Sequence, residues 1–240
     1  MSTRVATLAD AAGRPLRDVV YTTLRGELMN GDIRFGERLT EPKLSTRFGI
    51  SRTPVREALT MLCSDGLLQR EEYGFTPVRP SIPLIRDLYE LRITLELSGI
   101  QRAIDNPAVA HDHALLAAER EAWLALRADP PEQEPGFVVR DEEFHVTLLT
   151  AAGNAELVRS LKAVNSRIRH VRMYDFMVNN RIEATIAEHL GILDAVLAQN
   201  LPLAYRLLHT HIGESLDVVL DRVTRAIAAM SLATEQGASR

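Results

Sequence analysis

An internal disulfide is excluded, because the chain contains a single cysteine, Cys63. That residue closes an apolar run at 59–63, where a lone thiol packs as a small hydrophobe and suits a reducing compartment, so a cytoplasmic setting is expected. Long hydrophobic runs are missing as well. No stretch reaches the ~18 residues a membrane helix needs, and the opening MSTRVATLADAAGRP lacks the apolar core of an export signal, so no membrane partner is expected. Aromatic residues are only 5% of the chain, and there is no repeat or low-complexity segment; helices are the economical way to build its core. Finally, there is no overall positive charge, since the net charge is −4. This does not exclude a nucleic-acid partner, because residues 1–80 hold 12 Arg and Lys against 10 Asp and Glu, while residues 81–240 hold 16 against 22. Phosphate contact needs positive charge on one face of one domain only.

The order of elements can be followed along the chain. Residues 1–13 are small, polar and aperiodic, and are expected to form a disordered tail. Leu16, Val19, Val20, Leu24 and Leu28 keep helical spacing up to Asn30-Gly31-Asp32. After a second turn at Phe35-Gly36-Glu37, Thr40 caps a short helix that carries Leu44 and Phe48 and ends at Gly49. Thr53-Pro54 is expected to open the next helix, with Val55, Ala58, Leu59 and Leu62 inward and Asp65-Gly66 as its stop. Two short strands at 67–71 and 75–78, joined through Glu72-Tyr73-Gly74, complete a winged helix-turn-helix over 14–79. A proline-containing linker at 80–83 follows. The rest is expected to be an all-helical antiparallel bundle of six or seven helices over 84–230, with spans at 83–104, 109–128, 135–152, 154–178, 181–199 and 202–230 and a tail at 231–240.

In a helix-turn-helix the N-terminal end of the second helix enters the major groove. Here that end is Ser51-Arg52-Thr53-Pro54-Val55-Arg56. Arg52 and Arg56 stand one turn apart and can reach guanine edges or phosphates together, while Ser51 and Thr53 can donate to phosphate. An ordinary solvated helix with a capping Thr and two surface arginines fits this short patch equally well. The longer string from Gly31-Asp32-Ile33-Arg34 through Gly36-Glu37-Arg38-Leu39-Thr40-Glu41, Leu44, Gly49-Ile50-Ser51-Arg52-Thr53-Pro54-Val55-Arg56-Glu57-Ala58-Leu59 and Gly66-Leu67 resembles the DNA-reading domain of the GntR family. The resemblance spans about residues 16–79. It implies that Ser51, Arg52, Thr53 and Arg56 contact double-stranded operator DNA, with Gly74 at the wing tip. One position departs from the family. Two residues before Leu44, where an arginine usually touches phosphate, this chain has Pro42, and Lys43 is the neighbouring base that can substitute.

In the helical region, four polar residues stand where a bundle should be apolar. Asp141 and His145 are i,i+4 on a face with Phe137, Phe144 and Leu148. His189 interrupts the stripe of Ile182, Ile186 and Leu193, and His211 that of Ala204, Leu208, Ser215 and Val218. An unpaired carboxylate on a core face is costly, and a cation is the simplest compensation. One carboxylate and three imidazoles suit a divalent metal such as zinc, nickel, manganese or iron, with positions left for water or a small acid. The alternative is an Asp–His hydrogen-bonded network without metal. These residues, with Asp141-x-x-Phe144-His145, Ala152-Gly153-Asn154 and His211-Ile212, also resemble the FadR C-terminal (FCD) ligand domain over about 84–225. That resemblance implies a metal site for a small carboxylate effector in a bundle that dimerises. His111, His113, His170 and His209 are placed outside the site. Leu88-Tyr89-Glu90-Leu91-Arg92 matches the first helix of the same domain; Arg92 can clamp the effector carboxylate, or pair with Glu96 one turn on.

The function expected is a ligand-responsive, sequence-specific DNA-binding repressor, homodimeric on a pseudo-palindromic operator, and not an enzyme. A metal-dependent hydrolase or isomerase is the competing class, since the same four residues could activate water. A purely architectural DNA binder would be better served by apolar packing in place of the polar stripe.

Overall fold

The computed structural model describes residues 14–177 and 179–237, with side chains through residue 228. The tail expected at 1–13 lies outside the described residues. In order come α1 (Leu16–Asn30), α2 (Glu41–Phe48), α3 (Arg52–Ser64), β1 (Leu68–Glu71), β2 (Gly74–Pro77), α4 (Ile82–Asp105), α5 (His113–Ala128), α6 (Val138–Ala151), α7 (Ala155–Arg172), α8 (Arg181–Leu197) and α9 (Leu201–Gly237). Two compact units result: the described residues up to Pro80 with those from Thr224 onward, and Ser81–Val223.

In the first unit α1 packs against α3, burying Val20, Leu24 and Leu28 from one and Val55, Ala58, Leu59 and Leu62 from the other. Each set recurs every three or four residues and so falls on one helix face. Fully burying one such leucine stabilises the fold by roughly 1.5–3 kcal/mol. Between α2 and α3 the chain turns through Gly49-Ile50-Ser51, with Gly49 at φ 66°. Ser51, in extended conformation, and not Thr53, is the residue that precedes α3. Pro54 therefore occupies the third helical position, where an N–H would still lack an intrahelical acceptor.

β1 and β2 pair antiparallel, from Leu68↔Pro77 to Glu71↔Gly74. Leu39 pairs with Phe75 from the other side, its N–H donating at 2.8 Å and its carbonyl accepting at 2.9 Å. The tip of the hairpin is thus Glu72-Tyr73, and Gly74, expected at the tip, begins β2 instead. Its φ is +127°, and a Cβ there would meet the Leu39 carbonyl oxygen at 2.5 Å. The position needs glycine because another backbone crosses it.

In the second unit α4 packs on α7, α5 on α8, and α6 on α4, α5 and α7. Trp123 is fully buried at the centre of an edge-to-face cluster with Phe137 and Phe144. Three expected boundaries move. α5 starts at His113 and not at 109, because the Asp112 carboxylate accepts the Leu115 N–H as an N-cap. The helix expected over 154–178 stops at Arg172, followed by a 3-10 turn at Asp175–Met177 that turns Asp175 inward. α9 runs on to Gly237, past the end expected at 230. Among the described residues no helix is long and apolar enough to cross a membrane.

Candidate functional site

At the start of α3, Ser51, Arg52, Thr53 and Arg56 are all exposed, as is Lys43 on α2. Arg56 is already engaged. Its Nε and Nη2 donate to the two carboxylate oxygens of Glu41, each at 2.8 Å, which ties α3 to the first turn of α2. The hydrogen bond from Arg56, outweighing a small effect of burial and aided by the fields of Arg52 and Arg70, lowers the Glu41 carboxyl below its ordinary range. Glu41 carries no signal of this in the sequence beyond its place at the start of a helix, because its partner lies 15 residues away.

The four polar residues of the second unit come together. Asp141 and His145 project from α6, His189 from α8 and His211 from α9, all buried, with one ligand atom from each within 4.8 Å of all the others. The Nε2 atoms of His189 and His211 are 3.1 Å apart, and those of His211 and His145 3.3 Å. Asp141 offers Oδ1 at 3.5 Å from His189 Nε2 and Oδ2 at 3.6 Å from His145 Nε2. His111, His113, His170 and His209 do not join the cluster.

Atoms behind the cluster fix which nitrogen faces it. His145 Nδ1 lies 2.5 Å from Glu96 Oε2, and His211 Nδ1 lies 2.5 Å from Glu188 Oε2. A carboxylate accepts only, so each Nδ1 carries the proton and each Nε2 presents its lone pair inward. His189 is held differently, stacked on Phe144 with ring centroids 3.5 Å apart and edged by Trp123. Inward lone pairs this close repel one another unless a proton or a cation sits among them. Tetrahedral ligands at ~2.0–2.1 Å from zinc lie about 3.3 Å from one another. The observed 3.1 and 3.3 Å match that spacing, so the donor set fits a divalent ion.

Electrostatics keeps the donors in the forms a metal needs. Burial alone would raise the Asp141 carboxyl, but the Arg172 guanidinium beside it outweighs burial and holds it well below the usual carboxylate range. Burial pushes His189 well down, and His211 down against the pull of Glu188, so both favour the neutral form. Burial would also raise Glu96, yet His145 and Arg92 bring it down to about 2.

Arg92 is fully buried and donates from Nε to Glu96 Oε1 at 2.6 Å. The one-turn partner is therefore real, and it links Arg92 through Glu96 to His145. Sequence reasoning missed Glu188 and Arg172, which donates to Asp141, and it gave Glu96 no role toward His145. Only Arg92–Glu96 is a local spacing; the other partners are 23 to 49 residues apart.

Comparison with known proteins agrees with both halves. Residues 16–76 match the model of the bacterial regulatory proteins of the gntR family, and residues 87–214 match the FCD domain. The chain is 30% identical to the HTH-type transcriptional regulator YdhC of Bacillus subtilis, over 75% of this chain and 80% of that one. It is 32% identical to the Nta operon transcriptional regulator of Aminobacter aminovorans, over 80% and 90%. Among solved structures, the Lar protein of Listeria monocytogenes superposes with a TM-score of 0.61 at 21% identity, covering 87% of this chain and 98% of that one, which supports the fold. None of these relatives supports a hydrolase or isomerase. The chain belongs to the GntR family of DNA-binding transcription regulators, as a member with an FCD domain.

Proposed function

We propose that this regulator senses a small carboxylate through one divalent metal held by Asp141, His145, His189 and His211, and represses transcription by holding operator DNA until the effector releases it. The observation that carries this is the convergence of three Nε2 atoms on Asp141, with two of the rings locked from behind by Glu96 and Glu188. Three nitrogens and one oxygen suit zinc, and also nickel, manganese or iron; further coordination positions would take the effector carboxylate. Ser51, Arg52, Thr53, Arg56 and Lys43 form the exposed basic and hydroxyl-bearing face offered to DNA. Gly74 supports that face by letting the wing lie against Leu39. A repressor role is favoured by the relative RspR of Escherichia coli, an HTH-type transcriptional repressor 27% identical over 84% of this chain and 87% of its own. Homodimerisation through the second unit is supported by Leu84 and Leu91, exposed seven residues apart on α4.

Metal analysis of gently purified protein tests the centre. Near one equivalent per chain is expected in wild type and a large loss in Asp141→Ala, with operator release by a small carboxylate lost in parallel. A specific observation favours a second arrangement: Arg172 already neutralises Asp141 by a direct hydrogen bond. Near-zero metal in both proteins, with effector response intact, would establish that metal-free network.

A further inference from the structure

Two histidines of the cluster are supported from behind by a carboxylate that is itself held by an arginine. Behind His145 stands Glu96, whose Oε1 accepts from Arg92 Nε at 2.6 Å. Behind His211 stands Glu188, whose Oε1 accepts from Arg181 Nη1 at 2.9 Å. His189 has no such support among the described residues, and its buried Nδ1 has no hydrogen-bond partner. The two Arg–Glu–His chains differ beyond the arginine. Arg92 and Glu96 are one turn apart on α4, so that helix alone fixes their geometry. Arg181 and Glu188 are seven residues apart on α8, and the arginine is anchored elsewhere: its Nε donates at 3.0 Å to Asp175 Oδ1, on the 3-10 turn that precedes α8.

The contacts continue past Asp175. Ser215 Oγ donates to Asp175 Oδ2 at 2.7 Å and lies 3.3 Å from the Tyr89 hydroxyl. With the serine proton given to Asp175, the tyrosine is the donor in that last contact. Ser215 stands one turn beyond His211 on α9, so the contacts close a ring: from His211 through Glu188, Arg181, Asp175 and Ser215 back to the helix that carries His211. Asp175, Arg181 and Ser215 are buried, whereas the Glu188 side chain is 26% exposed. A partly exposed carboxylate is free to turn to water unless a second bond holds it, and Arg181 supplies that bond on the oxygen that His211 does not use. We propose that Arg181 and Asp175 are positioning residues for the metal centre: Asp175 aims the guanidinium, Arg181 holds Glu188, and Glu188 keeps the His211 Nδ1 proton outward and the Nε2 lone pair on the metal. The proposal rests on the metal reading above and specifies how one ligand is governed. The hold of His211 on the metal is set from a turn and a helix start outside the cluster, while that of His145 is set from α4.

The test uses full-length protein, with zinc affinity measured by chelator competition and the His211 and His145 tautomers read by 15N NMR before zinc is added. Arg181→Gln is expected to weaken zinc binding roughly three- to tenfold, less than the 10–100-fold typical of losing a partner that bonds the ligand directly. Asp175→Asn keeps the side-chain volume and, one bond further out, should weaken it about two- to fivefold, so the test does not depend on one variant folding. Because Arg181 acts through Glu188, the double variant Arg181→Gln/Glu188→Gln should bind zinc no more weakly than Glu188→Gln alone. In Arg181→Gln the His211 ring should move toward a mixture of tautomers while His145 keeps its own, a selective change that a general loss of packing does not produce. Additive losses in the double variant would overturn the proposal and leave the metal centre standing. So would wild-type zinc affinity in both single variants while Glu188→Gln is weakened. Wild type that takes up no zinc would overturn the metal reading and the proposal with it.

Discussion

Glu41 and Arg56 are joined by two parallel hydrogen bonds of 2.8 Å, one from Nε and one from Nη2, so the arginine expected to read DNA is already oriented by a carboxylate on the preceding helix. The pair is exposed at Arg56, and a phosphate or guanine can approach it from solvent. Alanine at Arg52 or Arg56 is expected to weaken operator binding roughly five- to hundredfold and to relax sequence preference. Glu41→Gln should act differently. It removes a negative charge from the DNA-facing side and frees the fork, so affinity for scrambled DNA should rise and the ratio of operator to scrambled affinity should fall. Fluorescence anisotropy with both duplexes over a salt series measures this, and an unchanged ratio would mean that Glu41 does not orient Arg56.

Most of this architecture was legible because it rests on local patterns. The periodic leucines of α1 and α3, the turn glycine at Gly49 and the linker prolines each act within a few residues. The four inward polar residues were legible for the same reason, since each interrupts an apolar stripe on its own helix. What stayed hidden depends on distant partners. Nothing local to Glu188 distinguishes it from a solvated glutamate until α9 brings His211 beside it. Nor is there a glycine or proline to stop α7 at Arg172; the stop follows from Asp175 turning to Arg181 and Ser215. Arg92 was placed correctly on an inward face, with Glu96 one turn on as a partner within local reach, but the link from Glu96 to His145 needs the fold.

Gly74→Ala is expected to destabilise the first unit by about 1–3 kcal/mol, because φ +127° strains an alanine and its Cβ would press on the Leu39 carbonyl. The strain falls on the Leu39–Phe75 pairing, so amide exchange at those two residues should quicken most. If exchange there is unchanged while operator affinity drops, Gly74 acts by direct contact with DNA and not by packing.

His170 should make stability pH-dependent. Burial pushes its imidazole from 6.5 down to about 4, and no hydrogen bond is found to it among the described residues. The unfolded chain therefore binds more protons than the folded one between those values, and stability falls as pH drops through that window. At pH 5 the loss is roughly 1–2 kcal/mol, allowing for the partial access of water to this half-buried ring. Chemical denaturation at pH 7 and pH 5 should show this loss in wild type and a smaller one in His170→Gln. Identical pH dependence in both would assign the titration to other groups.

Glu188→Gln separates the metal centre from a purely structural network. In wild type the Glu188 carboxylate accepts from His211 Nδ1 and also from Arg181 at 2.9 Å, and this sets the lone pair of His211 Nε2 toward the cluster. A glutamine fills the same volume and can still accept one of these bonds, so the fold and operator binding should persist. It no longer carries the charge that makes the imidazole a stronger donor to a cation, and loss of such an orienting partner typically weakens metal affinity 10–100-fold. A chelator competition with zinc is expected to show that drop in Glu188→Gln, an almost complete loss in His211→Ala, and none in His209→Ala, whose side chain is exposed outside the cluster. Thermal unfolding completes the argument. Added zinc should raise the midpoint of wild type strongly, Glu188→Gln at higher concentration only, and His211→Ala hardly at all, because a ligand stabilises only the state that binds it. A zinc-dependent shift of equal size in His211→Ala and wild type would place the metal somewhere other than these four residues.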